Sequence, residues 1–256
     1  MKDIIRVLVV DDSLTTREIL IGMLSDTAGL HVVGTAQDGL EAVELTAQLR
    51  PDVITMDIRM PRLNGLEATR RIMSSTPTPI VVVSSNIYEA DLNIAFNAMA
   101  VGALTVVEKP HGLDPASYIA VREQLVTAVR LMADVQVVAL VPNAATSSPT
   151  SSAPTSAAIK PTRPIELIAI AASAGGPGTL REVLQALPGD LSIPIVVVQH
   201  ITRGFGQGFA HWLDGLTPLH VSIAQPDQRL TAGQVLIAPD DTHMTIGPGG
   251  IVQLDR

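Results

Sequence analysis

Five short apolar runs, each followed by a helix-length pattern, restrict the first half of this chain to one kind of fold. Residues 6–10 (Arg-Val-Leu-Val-Val) precede Ile19, Leu20, Met23 and Leu24 at helical spacing, and residues 32–36 precede a pattern from Gly39 that stops before Pro51. Residues 53–56, 80–83 and 104–107 repeat the arrangement, with helices expected near 66–73 and 91–100 and from Asp114-Pro115, an N-cap with proline at the first helical position. Runs without alternation suit strands buried on both faces, and the alternation with helices predicts a doubly wound α/β unit with a five-stranded parallel sheet.

Polar residues fall where such a fold concentrates function. Asp11 and Asp12 follow the first strand, Asp57 the third, Ser84 and Ser85 end the fourth, and Lys109 follows the fifth. The crevice of an open α/β sheet lies outside the carboxyl ends of its strands, so carboxylates, a hydroxyl and an ammonium are expected at one place. Singly, each has a plainer reading: Asp11 or Asp12 as a helix cap, Lys109 as a surface lysine beside Pro110. Together they suit a hard divalent cation such as Mg²⁺, with one aspartate free to act as nucleophile toward a phosphoryl group.

The set Asp11-Asp12, Asp57, Ser84 and Lys109-Pro110 resembles the receiver domain of two-component response regulators over about residues 4–130. The resemblance implies that Asp57 accepts phosphate from a histidine kinase, that Asp11, Asp12 and Asp57 surround Mg²⁺, and that Ser84 and Lys109 contact the phosphoryl group. The family usually has an aromatic switch residue three positions before the lysine. Here that position is Val106, so contacts between domains are expected to carry the signal instead.

Composition shifts sharply after this unit. Residues 142–164 are rich in Ser, Thr, Ala and Pro and nearly free of large apolar groups, too little to offset the entropy of ordering them. The expected division is a unit at 1–133, a linker at 134–164 and a second unit at 165–256. The net charge of −8 and the lack of a basic stripe argue against nucleic acid as the partner. With no cysteine there is no disulfide or thiolate metal site. No apolar run reaches the ~18 residues of a membrane span and no leader pattern opens the chain, so a cytoplasmic protein without membrane insertion is expected.

The second unit starts with residues 167–172, an apolar run that ends in Ser173 and is followed by Gly175, Gly176 and Gly178 and a helix-like stretch at 179–187. A strand that delivers a serine to a tight turn before a helix N-terminus suits a nucleophile, with free N–H groups for a developing negative charge. The plainer reading is a serine that caps the helix. Residues 195–199 form a second strand that ends at His200, and adjacent parallel strands would bring His200 to Ser173 as a nucleophile–base pair. Strands are also expected at 219–223 and 235–238, and a hairpin around Gly247-Pro248-Gly249-Gly250. His31, His111, His211 and His220 read as structural.

Ala172-Ser173-Ala174-Gly175-Gly176-Pro177, Gln199-His200 and residues 238–244, placed after a receiver and a linker, resemble the catalytic domain of chemotaxis-type protein-glutamate methylesterases. The resemblance implies a hydrolase of glutamate methyl esters, and deamidase of glutamines, on methyl-accepting chemotaxis receptors. Ser173 is then the nucleophile and His200 the general base, and the ester chemistry needs no cofactor. The family usually has Gly at the position of Ala171 and Thr at that of Ala174. Its third catalytic residue is an Asp in a Gly-Met-Gly-x-Asp-Gly motif that does not occur through Arg256, and Asp240, Asp241 and Asp255 do not match its place. The expectation is a partial, C-terminally truncated catalytic domain with little or no esterase activity as written. The alternative is a phosphate-accepting binding module, or phosphate sink, with an inactive effector domain.

Overall fold

The computed structural model describes residues 4–84, 89–110, 115–137 and 165–255. The first unit alternates β1 (Ile5–Val10), α1 (Leu14–Ser25), β2 (Leu30–Ala36), α2 (Gly39–Leu49), β3 (Val53–Met56), α3 (Gly65–Ser75), β4 (Ile80–Ser84), α4 (Glu89–Ala100), β5 (Thr105–Glu108) and α5 (Pro115–Ala133). Its sheet has the order β2-β1-β3-β4-β5, and every pairing is parallel. The order reverses between β1 and β3, so their carboxyl ends open the crevice in which Asp11, Asp12 and Asp57 lie.

Alternate strand residues feed two cores. Val7, Val9, Val81, Val83 and Val107 pack against Leu20 and Met23 of α1 and Leu125 and Val129 of α5. Leu8, Val10, Ile54, Met56, Val82 and Val106 face Ala42 of α2, Ile72 of α3 and Phe96 and Met99 of α4. The expected five-stranded parallel sheet is therefore observed, with helices on both faces. Ser13, not either neighbouring aspartate, caps α1, its side chain accepting the Thr16 N–H.

The second unit comprises β6 (Ile168–Ala172), α6 (Gly176–Gln185), β7 (Ile195–Gln199), α7 (Gly206–Asp214), β8 (His220–Ile223), β9 (Gln234–Ile237), β10 (His243–Gly247) and β11 (Ile251–Asp255). A second parallel sheet has the order β6-β7-β9-β8. The β10–β11 hairpin is antiparallel and covers one sheet face, Val252, Met244 and Ile246 packing with Val196 and Leu236. Helix α6 starts three residues before its expected position because Pro177 fixes a helical φ in the first turn, after Gly175 at φ +73°.

The core on the α4 face continues into the second unit through Leu180, Leu184, Phe209, Trp212 and Leu213. Phe96 lies 5.5 Å from Phe209 and 5.6 Å from Trp212, ring centre to ring centre, and the Trp212 indole N–H donates to Asn97 Oδ1 at 3.1 Å. Large rings with one satisfied polar handle suit such a seam. The linker expected at 134–164 lies outside the described residues from 138 onward, as do His111 and the expected N-cap Asp114. Among the described residues no helix is long and apolar enough to cross a membrane.

Candidate functional site

The first cluster lies at the carboxyl edge of the first sheet. Asp11 is fully buried, Asp57 is 4% exposed and Asp12 is open to solvent, and one oxygen of each lies within 4.8 Å of the others. The Lys109 ammonium bridges them, 2.6 Å from Asp11 Oδ2 and 3.0 Å from Asp57 Oδ2. Backbone groups fix the remaining oxygens: the Ser13 N–H donates to Asp11 Oδ1 at 2.9 Å and the Ile58 N–H to Asp57 Oδ1 at 2.7 Å. Ser84 is buried at the end of β4, and its carbonyl accepts the Lys109 N–H at 2.8 Å. Ser85 lies outside the described residues.

Burial pushes the Asp57 carboxyl above its ordinary pKa; Lys109 pulls it down, and the like charge of Asp11 adds to the rise. Burial also disfavours the Lys109 ammonium, yet the facing Asp57 and Asp11 carboxylates outweigh it and hold that pKa above the ordinary lysine value. Three carboxylates, two buried and one wet, are the hard oxygen donors that a cation keeping some of its waters prefers. The donor set fits Mg²⁺.

The second cluster is built by adjacent strands. Ala172 of β6 is in register with Gln199 of β7, and the His200 N–H donates to the Ala172 carbonyl at 2.9 Å. The next residues are thereby brought together: Ser173 Oγ is 3.3 Å from His200 Nδ1, and both side chains are exposed. A serine O–H donating to Nδ1 requires the imidazole to carry its proton on Nε2. The turn after the serine closes through the Gly176 N–H, which donates to the Ser173 carbonyl at 2.8 Å.

Among the described residues no carboxylate bonds to His200. Asp240 Oδ2 accepts the Gly204 N–H at 2.7 Å, and Asp241 pairs with Arg203 at 3.1 Å. Asp255 lies on β11 opposite His243.

The second cluster faces the first unit across a seam. A cleft of about 320 Å³ separates Ser173 and His200 from β5 and α5 of the first unit, with Thr105, Glu123 and Thr127 on the far wall. Two polar contacts cross beside it: the Thr202 hydroxyl donates to the Val106 carbonyl, and the Gly175 N–H to the Leu104 carbonyl at 3.4 Å. Sequence reasoning missed Thr202 and named Gln199 beside His200 without giving it a role. Gln199 carried a signal, an amide that ends the apolar run of β7 one residue before His200.

Residues 7–116 match the response regulator receiver domain family, and residues 168–256 match the CheB methylesterase family. Protein-glutamate methylesterase/protein-glutamine glutaminase 4 of Myxococcus xanthus is 42% identical over 99% of this chain and 71% of its own length. The protein of the same name from Geobacter metallireducens is 43% identical over 96% of this chain and 70% of its own. The crystal structure of the response regulator domain of Thermotoga maritima CheB is 44% identical, covering 52% of this chain and 98% of its own with a TM-score of 0.47. With both regions matched in this order and such identity over nearly its whole length, the chain belongs to the protein-glutamate methylesterase/protein-glutamine glutaminase family.

Proposed function

We propose that this chain is a phosphorylation-controlled hydrolase of glutamate methyl esters, and deamidase of glutamines, on methyl-accepting receptors, serving adaptation in bacterial chemotaxis from the cytoplasm. One observation carries the reading: a serine hydroxyl 3.3 Å from an imidazole, at the face of a cleft whose other wall bears the Asp57 unit. Ser173 Oγ attacks the ester carbonyl and its proton passes to His200 Nδ1. The tetrahedral intermediate collapses, methanol leaves with the proton from His200, and water repeats the cycle to free the glutamate carboxylate. A glutamine follows the same course with ammonia as the leaving group.

Asp57 is the proposed phosphoacceptor: a carboxylate oxygen attacks phosphorus on a kinase phosphohistidine, an acyl phosphate forms and the imidazole leaves. Lys109 and Ser84 are the proposed contacts to the phosphoryl oxygens. Asp11, Asp12 and Asp57 would hold Mg²⁺, which when bound neutralises negative charge around the incoming phosphoryl group.

Control follows from the seam. Residues of β5 and α5 wall the cleft that Ser173 and His200 line, so the docked arrangement is the restrained one. Lys109 follows β5, three residues beyond the carbonyl that holds Thr202, so a charge change at Asp57 reaches the seam along one strand. This route needs no aromatic at Val106.

The test is methanol release from methylated receptor membranes, with acetyl phosphate as the phosphodonor. The donor is expected to raise Ser173-dependent release. Phosphorylation of Asp57 with no such release would instead favour the phosphate-sink reading. A second expectation concerns Thr202→Val, which removes a neutral hydrogen bond made only when the units are docked. Such a bond contributes about 1 kcal/mol, so release without donor should rise about fivefold. The phosphorylated rate should stay the same; equal rises in both states would place Thr202 outside the control.

A further inference from the structure

We propose that Gln199 is a positioning residue for the acyl-transfer pair, its side-chain amide tying the Ser173 turn to the His200 turn. Gln199 Nε2 donates to the Ser173 carbonyl and to the His200 carbonyl, each at 2.9 Å. Both partners are acceptors only, so the NH₂ end must face them and the amide has one orientation. The contact to Ser173 spans from β7 to the end of β6, beyond the last ladder pair.

The rest of the amide is held at a cost to the fold. Gln199 Oε1 is buried with no hydrogen-bond partner, pressed against Gly176, where a Cβ would lie 2.1 Å from it. Only glycine leaves room there. The oxygen faces the first residue of α6, where the positive end of the helix dipole partly compensates the missing bond.

Strand pairing does not call for this arrangement. The ladder runs to Ala172 and Gln199, and the His200 N–H adds its own bond to Ala172. The amide does something the ladder does not: it fixes the two main-chain segments whose side chains must meet. The Ser173–His200 contact is long at 3.3 Å, and a misplacement of ~1 Å can cost about 10²-fold in rate.

This inference rests on Ser173 and His200 as the acyl-transfer pair, and its test includes a readout independent of activity. Gln199→Met keeps the length without donors, and Gln199→Glu keeps the shape with at most one. In the full chain, the rate at which a fluorophosphonate labels Ser173 is expected to fall about 10²-fold in the Met variant, with a smaller loss in the Glu variant as pH falls and the carboxyl gains its proton. The ¹⁵N shifts of His200 should move from the Nε2–H tautomer toward a mixture. Thermal midpoint and Asp57 phosphorylation should match the parent.

Labelling and ¹⁵N shifts unchanged in both variants would overturn the proposal. So would losses that merely track a lowered midpoint, with the tautomer unaltered. If the parent itself labels no faster than Ser173→Ala while the His200 tautomer still responds to Gln199→Met, the pair reading fails and the positioning role stands.

Discussion

Ser173→Ala is expected to lower methanol release from methylated receptor membranes by about 10²-fold, far less than a serine hydrolase with a carboxylate on its base would lose. In subtilisin, removal of the nucleophile costs about 2 × 10⁶ in kcat, as much as removal of the whole triad, whereas loss of the orienting Asp alone costs about 3 × 10⁴. The ratio, roughly 10², is what the nucleophile still contributes once the base has lost its carboxylate. His200 is in that position: among the described residues its imidazole contacts Ser173, while Asp240 and Asp241 are committed to Gly204 and Arg203. Two outcomes matter. A 10⁶-fold loss would mean that a carboxylate does reach the imidazole, and no loss at all would remove Ser173 from the chemistry.

The contrast between the two clusters explains how far the sequence could be read. Asp11, Asp57 and Lys109 were visible because each follows an apolar run, and parallel strands leave their carboxyl ends on one edge of the sheet. Ser173 and His200 were visible for the same reason, and the adjacency of β6 and β7 needed only the rule that sequential strands tend to be neighbours. The seam was not visible. Phe96, Phe209 and Trp212 sit on helices whose spacing marks an inward face, and spacing names no partner for it. Backbone carbonyls leave no mark in a sequence, so the hold of Thr202 on Val106 and of Gly175 on Leu104 had no signal. Val106 itself is fully buried against the α4 face, which suits a position with no room for a rotating ring.

Asp57→Asn is expected to abolish phosphotransfer and, at neutral pH, to make the folded state more stable than the parent. The first effect is complete because an amide has no carboxylate to attack phosphorus. The second follows from the raised pKa of Asp57, for which burial is the largest cause. A carboxyl that holds its proton more tightly when folded binds more protons in the native than in the unfolded state between its ordinary value and the raised one. Stability therefore falls as pH rises through that window, and above it the charged carboxylate is a constant cost. Asparagine removes the cost, and Lys109 keeps Asp11 at 2.6 Å as its partner. The variant should melt higher at pH 7, by about 2–8 °C for each kcal/mol gained in domains of this size, and the difference should close as pH falls toward the ordinary aspartate range. Mg²⁺ should narrow the gap from the other side. At a hundred times its Kd a bound ligand adds about 2.7 kcal/mol, and the parent has three carboxylates to offer where the variant has two. A variant that melts lower than the parent at pH 7 without Mg²⁺ would mean that the ion pair with Lys109 outweighs burial, and the reading of Asp57 as a carboxylate that burial destabilises would be wrong.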